Sequence, residues 1–125
     1  MTPRSTISVL IAEDEEELRT LLESTLRGAG YAVSGARDGA EAISLIGMNS
    51  FDVALLDIYM PQASGLDVLR HLHDHSPATK VIILTGYGDL KNAMEAREFG
   101  AVDFINKPVK VEEVVATIGR ILGQA

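Results

Sequence analysis

The chain has 125 residues, 46% of them hydrophobic and 23% charged, with no cysteine and a net charge of -7. That length suits one domain with a self-sufficient core, and the composition argues against a disordered or collagen-like chain. The lack of cysteine excludes disulfides, thiolate zinc sites and cysteine nucleophiles, and an acidic chain with no lysine and arginine cluster is a poor direct reader of nucleic acid.

No apolar run approaches the roughly twenty residues of a membrane span. The opening residues, Met1 to Thr6, are polar and show no secretory leader. A cytoplasmic protein with no membrane association is expected. Along the chain, Ile7 to Ala12 reads as a buried strand. Asp14 to Ala29 reads as a helix with Leu18, Leu21, Leu22 and Leu26 at helical spacing, closed by Gly28 and Gly30. Tyr31 to Gly35 is a short second strand. Asp38 caps a second helix whose Ala40, Ile43 and Ile46 are expected to face inward, and Gly47 or Asn49 ends it.

Val53 to Leu56 is apolar on both faces, as in the middle of a parallel sheet, and stops at Asp57. Ser64 or Gly65 opens a third helix to about Asp74. Lys80 to Leu84 is a fourth strand. Asp89 caps a fourth helix running to Phe99, with Lys91, Asn92, Glu95 and Glu98 outward, and Gly100 closes it. Val102 to Ile105 is the fifth strand, and Val111 to Leu122 the last helix, with a stripe of Val111, Val114, Val115, Ile118, Ile121 and Leu122. Strict alternation predicts an α/β fold: a five-stranded parallel sheet in flavodoxin-like order 2-1-3-4-5, sandwiched between five helices in three layers.

Ligands of such sheets bind beyond the carboxyl ends of the strands, near the switch in strand order. Glu13 and Asp14 follow the first strand, Asp57 the third, Thr85 the fourth, and Lys107 with Pro108 the fifth. Taken singly, each has a bland explanation. An aspartate at a strand end is usually a turn former or helix cap, and Glu13 and Asp14 suit the dipole of the helix that follows. Together they converge three carboxylates, a hydroxyl and an ammonium on one spot. Crowded carboxylates repel, and Lys107 supplies one positive charge, so a divalent cation is expected. Oxygen-only donors favour Mg2+ over zinc. Magnesium recruits phosphate oxygens, which makes Asp57 the candidate phosphoryl acceptor and nucleophile. Thr85 and Lys107 then bind phosphoryl oxygens. Gly86 leaves the approach open, and Pro61 and Gly65 shape the loop beside it.

The stretches VLIAEDEEELR, FDVALLDIYMPQASGLDVL, VIILTGYGD and GAVDFINKPV, in this order, resemble the receiver domain of two-component response regulators over essentially the whole chain. The resemblance implies that Asp57 is the phosphoacceptor, Asp14 a direct magnesium ligand, Glu13 a ligand mainly through water, and the Tyr59 backbone carbonyl a further ligand. It places Phe104 at the aromatic switch position, where it turns inward when the phosphoryl group draws Thr85. It also implies a cis bond before Pro108. Glu13 departs from the commoner aspartate, and Phe104 lacks the hydroxyl of the commoner tyrosine. Tyr59 and Tyr87 are expected to limit the access of water to the phosphoryl group, and Gly86, Tyr87 and Gly88 to link Thr85 flexibly to the fourth helix.

The implied partners are a sensor histidine kinase or phosphotransfer protein as donor, and an effector domain or target protein reached through the surface of helix four, strand five and helix five. A homodimer on phosphorylation is compatible with this reading. Residues 1–125 form a single receiver, excised from a longer regulator or free-standing. The expected chemistry is self-phosphorylation from a phosphodonor and autodephosphorylation, with no other enzyme activity. A degenerate receiver serving as a constitutive binding module is the alternative, and the full set Asp14, Asp57, Thr85 and Lys107 argues against it. An aspartate-based phosphatase would carry a second acid where Tyr59 stands. A flavodoxin's phosphate loop would meet the acidic run Glu13 to Glu16. His71, His73 and His75 read as a polar helix end; His71 and His75, four apart, share a face.

Overall fold

The computed structural model describes residues 6–60, 62–86 and 90–123. Strands β1 (Ser8–Ala12), β2 (Ala32–Ala36), β3 (Val53–Asp57), β4 (Lys80–Thr85) and β5 (Asp103–Asn106) alternate with helices α1 (Glu16–Gly28), α2 (Gly39–Met48), α3 (Gly65–His75), α4 (Leu90–Glu98) and α5 (Val111–Ile121). All neighbouring strands pair parallel, in the order β2-β1-β3-β4-β5. The expected topology is thus present, with strand and helix ends shifted by a residue or two.

The two-residue period of a strand sorts its side chains onto two faces. Val9, Ile11, Val53, Leu55, Ile82, Leu84 and Ile105 pack with Leu22 and Leu26 of α1 and Val114 and Ile118 of α5. Leu10, Ala12, Ala54, Leu56, Val81 and Ile83 pack on the other face with Ala42 and Ile46 of α2, Leu69 and Leu72 of α3, and Ala96 of α4. Burying each large aliphatic side chain contributes about 1.5–3 kcal/mol, so both layers are needed to hold β1, β3 and β4 rigid. Rigidity of those three strands is what positions the residues at their ends.

Helix starts follow local chemistry. Asp38 caps α2 by accepting from the Glu41 N–H at 2.7 Å. Ser64 and Asp67 form a reciprocal capping box on α3. Helix α1 has no such side-chain cap; Glu15 stands at its N-cap, so the helix begins two residues later than expected. Two inward and two outward assignments are corrected. Leu21 is 52% exposed, because Leu22 and Leu26 define the buried stripe. In α2 the buried positions are Gly39, Ala42 and Ile46, which leaves Ala40 exposed. In α4, Asn92 and Glu95 are half-buried instead of fully outward, because both bond across to other elements. Pro61, Tyr87, Gly88 and Asp89, which carried a loop former, an access-limiting residue, a flexible link and a helix cap, lie outside the described residues.

Candidate functional site

β1 and β3 are adjacent, and their register pairs Ala12 with Leu56. Glu13 and Asp57 each follow these partners directly, so two carboxylates leave the sheet side by side. Asp57 pairs with Leu84, and Thr85 with Asn106, which brings Thr85 one step beyond Asp57 and Lys107 one step beyond Asn106. The Lys107 N–H donates to the Thr85 carbonyl at 2.8 Å, so the backbone holds this last step in line.

Lys107 Nζ lies 3.0 Å from Asp57 Oδ2, to which it donates, and 3.0 Å from Glu13 Oε1. The second contact is close enough for charge but not aligned as a hydrogen bond: buried Glu13 Oε1 accepts none among the described residues. Glu13 is fully buried, Asp57 and Thr85 nearly so, while Asp14 is exposed. Carboxylate oxygens of Glu13, Asp14 and Asp57 all lie within 4.8 Å of one another.

Burial pushes the Glu13 carboxyl up from its ordinary 4.5 to about 7; the Asp57 charge adds to this, and the Glu15 N–H and Lys107 only partly offset it. At Lys107 burial favours the neutral amine, yet the contacts and charges of Glu13 and Asp57 prevail, so its pKa lies above the ordinary 10.5. Three carboxyl groups thus share this corner of the sheet with one ammonium.

The frame around these groups is tightly bonded. Glu13 Oε2 accepts from the Glu15 N–H at 3.0 Å, and the Glu13 carbonyl accepts from Arg19 Nη1 at 2.8 Å. Asp57 Oδ1 accepts from the Tyr59 N–H at 3.2 Å. The Thr85 hydroxyl donates to the Gly86 carbonyl at 3.3 Å. Among the described residues a Cβ at Gly86 would meet nothing within 4 Å, whereas one at Gly65 would sit 2.1 Å from the Asp57 carbonyl oxygen. Gly65 is thus what lets α3 start against the backbone of Asp57. The Lys107–Pro108 bond is cis. Phe104 pairs in register with Ile83 and packs half-buried against the α2–α3–α4 face of the core.

The sequence reading did not anticipate Arg19 or the bonds of Asn92. A basic residue one turn into an acidic helix start was the available signal for the first; for the second there was none, since its partner is 33 residues away. His71 and His75 do share a face, with rings stacked at 4.3 Å, and His75 Nδ1 lies 2.9 Å from the His71 carbonyl. His73 stands edge-on to Phe99.

Residues 9–119 match the family model described as "Response regulator receiver domain". The chain belongs to that family. Among curated proteins, this receiver domain is 39% identical over 115 residues to the response regulator protein PilR of Pseudomonas aeruginosa, covering 90% of the chain and 26% of PilR. It is 38% identical over 116 residues to the transcriptional regulatory protein CutR of Streptomyces coelicolor, covering 93% of the chain and 53% of CutR. The domain thus spans between a quarter and about half of these relatives. A crystal structure of a CheY-like response regulator receiver domain protein from Methanospirillum hungatei superposes with a TM-score of 0.91 at 30% identity, covering 95% of each chain. Among the described residues no helix is long and apolar enough to cross a membrane.

Proposed function

We propose that this receiver domain accepts a phosphoryl group on Asp57 from the phosphohistidine of a sensor histidine kinase or phosphotransfer protein, in a Mg2+-dependent reaction. The observation that carries the reading is Lys107 Nζ at 3.0 Å from both Glu13 Oε1 and Asp57 Oδ2 at the carboxyl end of the sheet. A buried carboxylate oxygen without a hydrogen-bond partner among the described residues, in a donor set made only of oxygen, fits a hard divalent cation. Glu13, Asp14 and Asp57, with the Tyr59 backbone carbonyl, would hold it. Bound there, it would supply the positive charge that phosphoryl oxygens need.

The chain's own residues do the rest. An Asp57 oxygen forms the O–P bond as the P–N bond to the donor imidazole breaks. Lys107 already touches Asp57 and follows the new charge onto the phosphoryl oxygens. The Thr85 hydroxyl leaves the Gly86 carbonyl to donate to the phosphoryl group, and the open space at Gly86 admits that group. Phe104 follows Thr85 inward, altering the α4–β5–α5 surface read by an effector domain or target protein. Tyr59 and Tyr87 limit water and set the phosphorylated lifetime. Beside the site, a groove lined by Leu18, Leu21, Pro108 and Val109 with Glu15, Glu17 and Lys107 offers the phosphodonor a mixed apolar and charged approach.

The relatives are longer regulators, and residues 1–125 are read as the receiver unit of a cytoplasmic signalling protein. Incubation with acetyl phosphate and Mg2+ followed by intact-protein mass spectrometry tests the reading. A phosphoryl adduct on the wild type and none on Asp57→Asn is expected. No adduct on the wild type would leave only a constitutive binding module.

A further inference from the structure

Tyr59 stands two residues after Asp57, and its N–H donates to Asp57 Oδ1. Its backbone is therefore tied to the reacting carboxylate. Its side chain is 62% exposed, so packing alone does not fix the ring. The phenol oxygen instead accepts a hydrogen bond from Asn92 Nδ2 at 3.1 Å, in the first turn of α4. Asparagine is a weak helix former, and at this position it spends its side chain on a distant loop.

α4 is in turn anchored to α3. Arg70 pairs with Asp67 at 3.1 Å and with Glu95 of α4, and its guanidinium lies 5.2 Å from the Phe99 ring centre. The connection runs from Asp57 through Tyr59 and Asn92 into α4, and α4 is held by α3. The phenol spans from the loop after β3 to the start of α4, beyond the end of β4. Its backbone is fixed at Asp57 and its phenol at α4, so the ring links the reacting carboxylate's loop to that helix.

We infer that Asn92 is a positioning residue for phosphate retention: by holding the Tyr59 phenol in place, it screens the aspartyl phosphate from attacking water. The role rests on phosphorylation of Asp57 as proposed above. It also makes the lifetime sensitive to α4, because a partner that engages Asn92 releases the ring.

Loss of one neutral hydrogen bond is worth about 1 kcal/mol, which at about 1.4 kcal/mol per tenfold is roughly a fivefold change. The test loads wild type, Asn92→Ala, Tyr59→Phe and the double variant from phosphoramidate with Mg2+, then follows loss of the adduct by mass spectrometry. Each single variant is expected to lose phosphate about fivefold faster. The double variant is expected to fall well short of the product of the two single factors, since both delete the Asn92–Tyr59 bond. Urea unfolding of the unphosphorylated proteins runs alongside. A merely structural role for Asn92 moves the urea midpoint and leaves the lifetime unchanged, and that overturns the inference. So do single-variant factors that multiply in the double variant. Tyr59→Phe, which removes one oxygen from an exposed residue, keeps the test valid if Asn92→Ala fails to fold. If the wild type takes up no phosphoryl group, the reading of Asp57 fails and this role with it. Normal uptake with equal lifetimes removes only Asn92.

Discussion

Replacing Glu13 by glutamine removes a buried acid and nearly keeps its shape. The folded state raises the Glu13 pKa from 4.5 to about 7, chiefly by burial. In that window the folded protein holds a proton that the unfolded chain has released. Stability from the neutral acid is therefore complete below about 4.5 and is lost as pH rises through about 7. Raising an acid from 4.5 to about 7 corresponds to roughly 3 kcal/mol. Glutamine is neutral at every pH, so Glu13→Gln should gain on the wild type by up to that amount between about pH 4 and pH 8. Urea unfolding in EDTA at stepped pH measures the difference, with all other titrating groups common to both proteins. Saturating Mg2+ should narrow the gap at pH 8, because a cation favours the charged form only where the acid remains. A stability difference that stays flat across the window would refute the argument that burial opposes ionisation here.

Three further outcomes are expected. Gly65→Ala places a methyl group 2.1 Å from the Asp57 carbonyl oxygen, and backbone cannot yield cheaply, so about 2 kcal/mol or more of stability should be lost in urea unfolding; a shift below about 0.5 kcal/mol would contradict it. Ser64→Ala removes the capping box of α3 and should cost about 1 kcal/mol by the same measurement. Lys107→Gln leaves Glu13 and Asp57 without their shared cation, so phosphoryl uptake from acetyl phosphate should slow at least about tenfold while far-UV circular dichroism stays that of a folded protein.

The β3 run Val53 to Asp57 was legible because a strand buried on both faces cannot alternate with polar residues, and the sheet order followed from handed crossovers once five strands were counted. The α1 stripe was only partly legible. Leu18, Leu21, Leu22 and Leu26 all share helical spacing, and the sheet beneath chose Leu22 and Leu26 for burial. Asp38 and Ser64 could be read as caps because a cap bonds within three residues; the position of Glu15 at the start of α1 could not, since it makes no side-chain bond there.

By itself the sequence determined the residue types gathered at the strand ends: Glu13, Asp14, Asp57, Thr85 and Lys107 are assigned by chain order and the rule for parallel sheets. Tertiary structure alone decided how they meet. Lys107 lies 50 residues from Asp57 and bridges it to Glu13, and Glu13 is buried while Asp14 next to it is exposed. It also decided that Asn92 reaches Tyr59. Periodicity and capping are local properties of a chain, whereas burial, charge pairing and a proton's affinity depend on neighbours that only packing supplies.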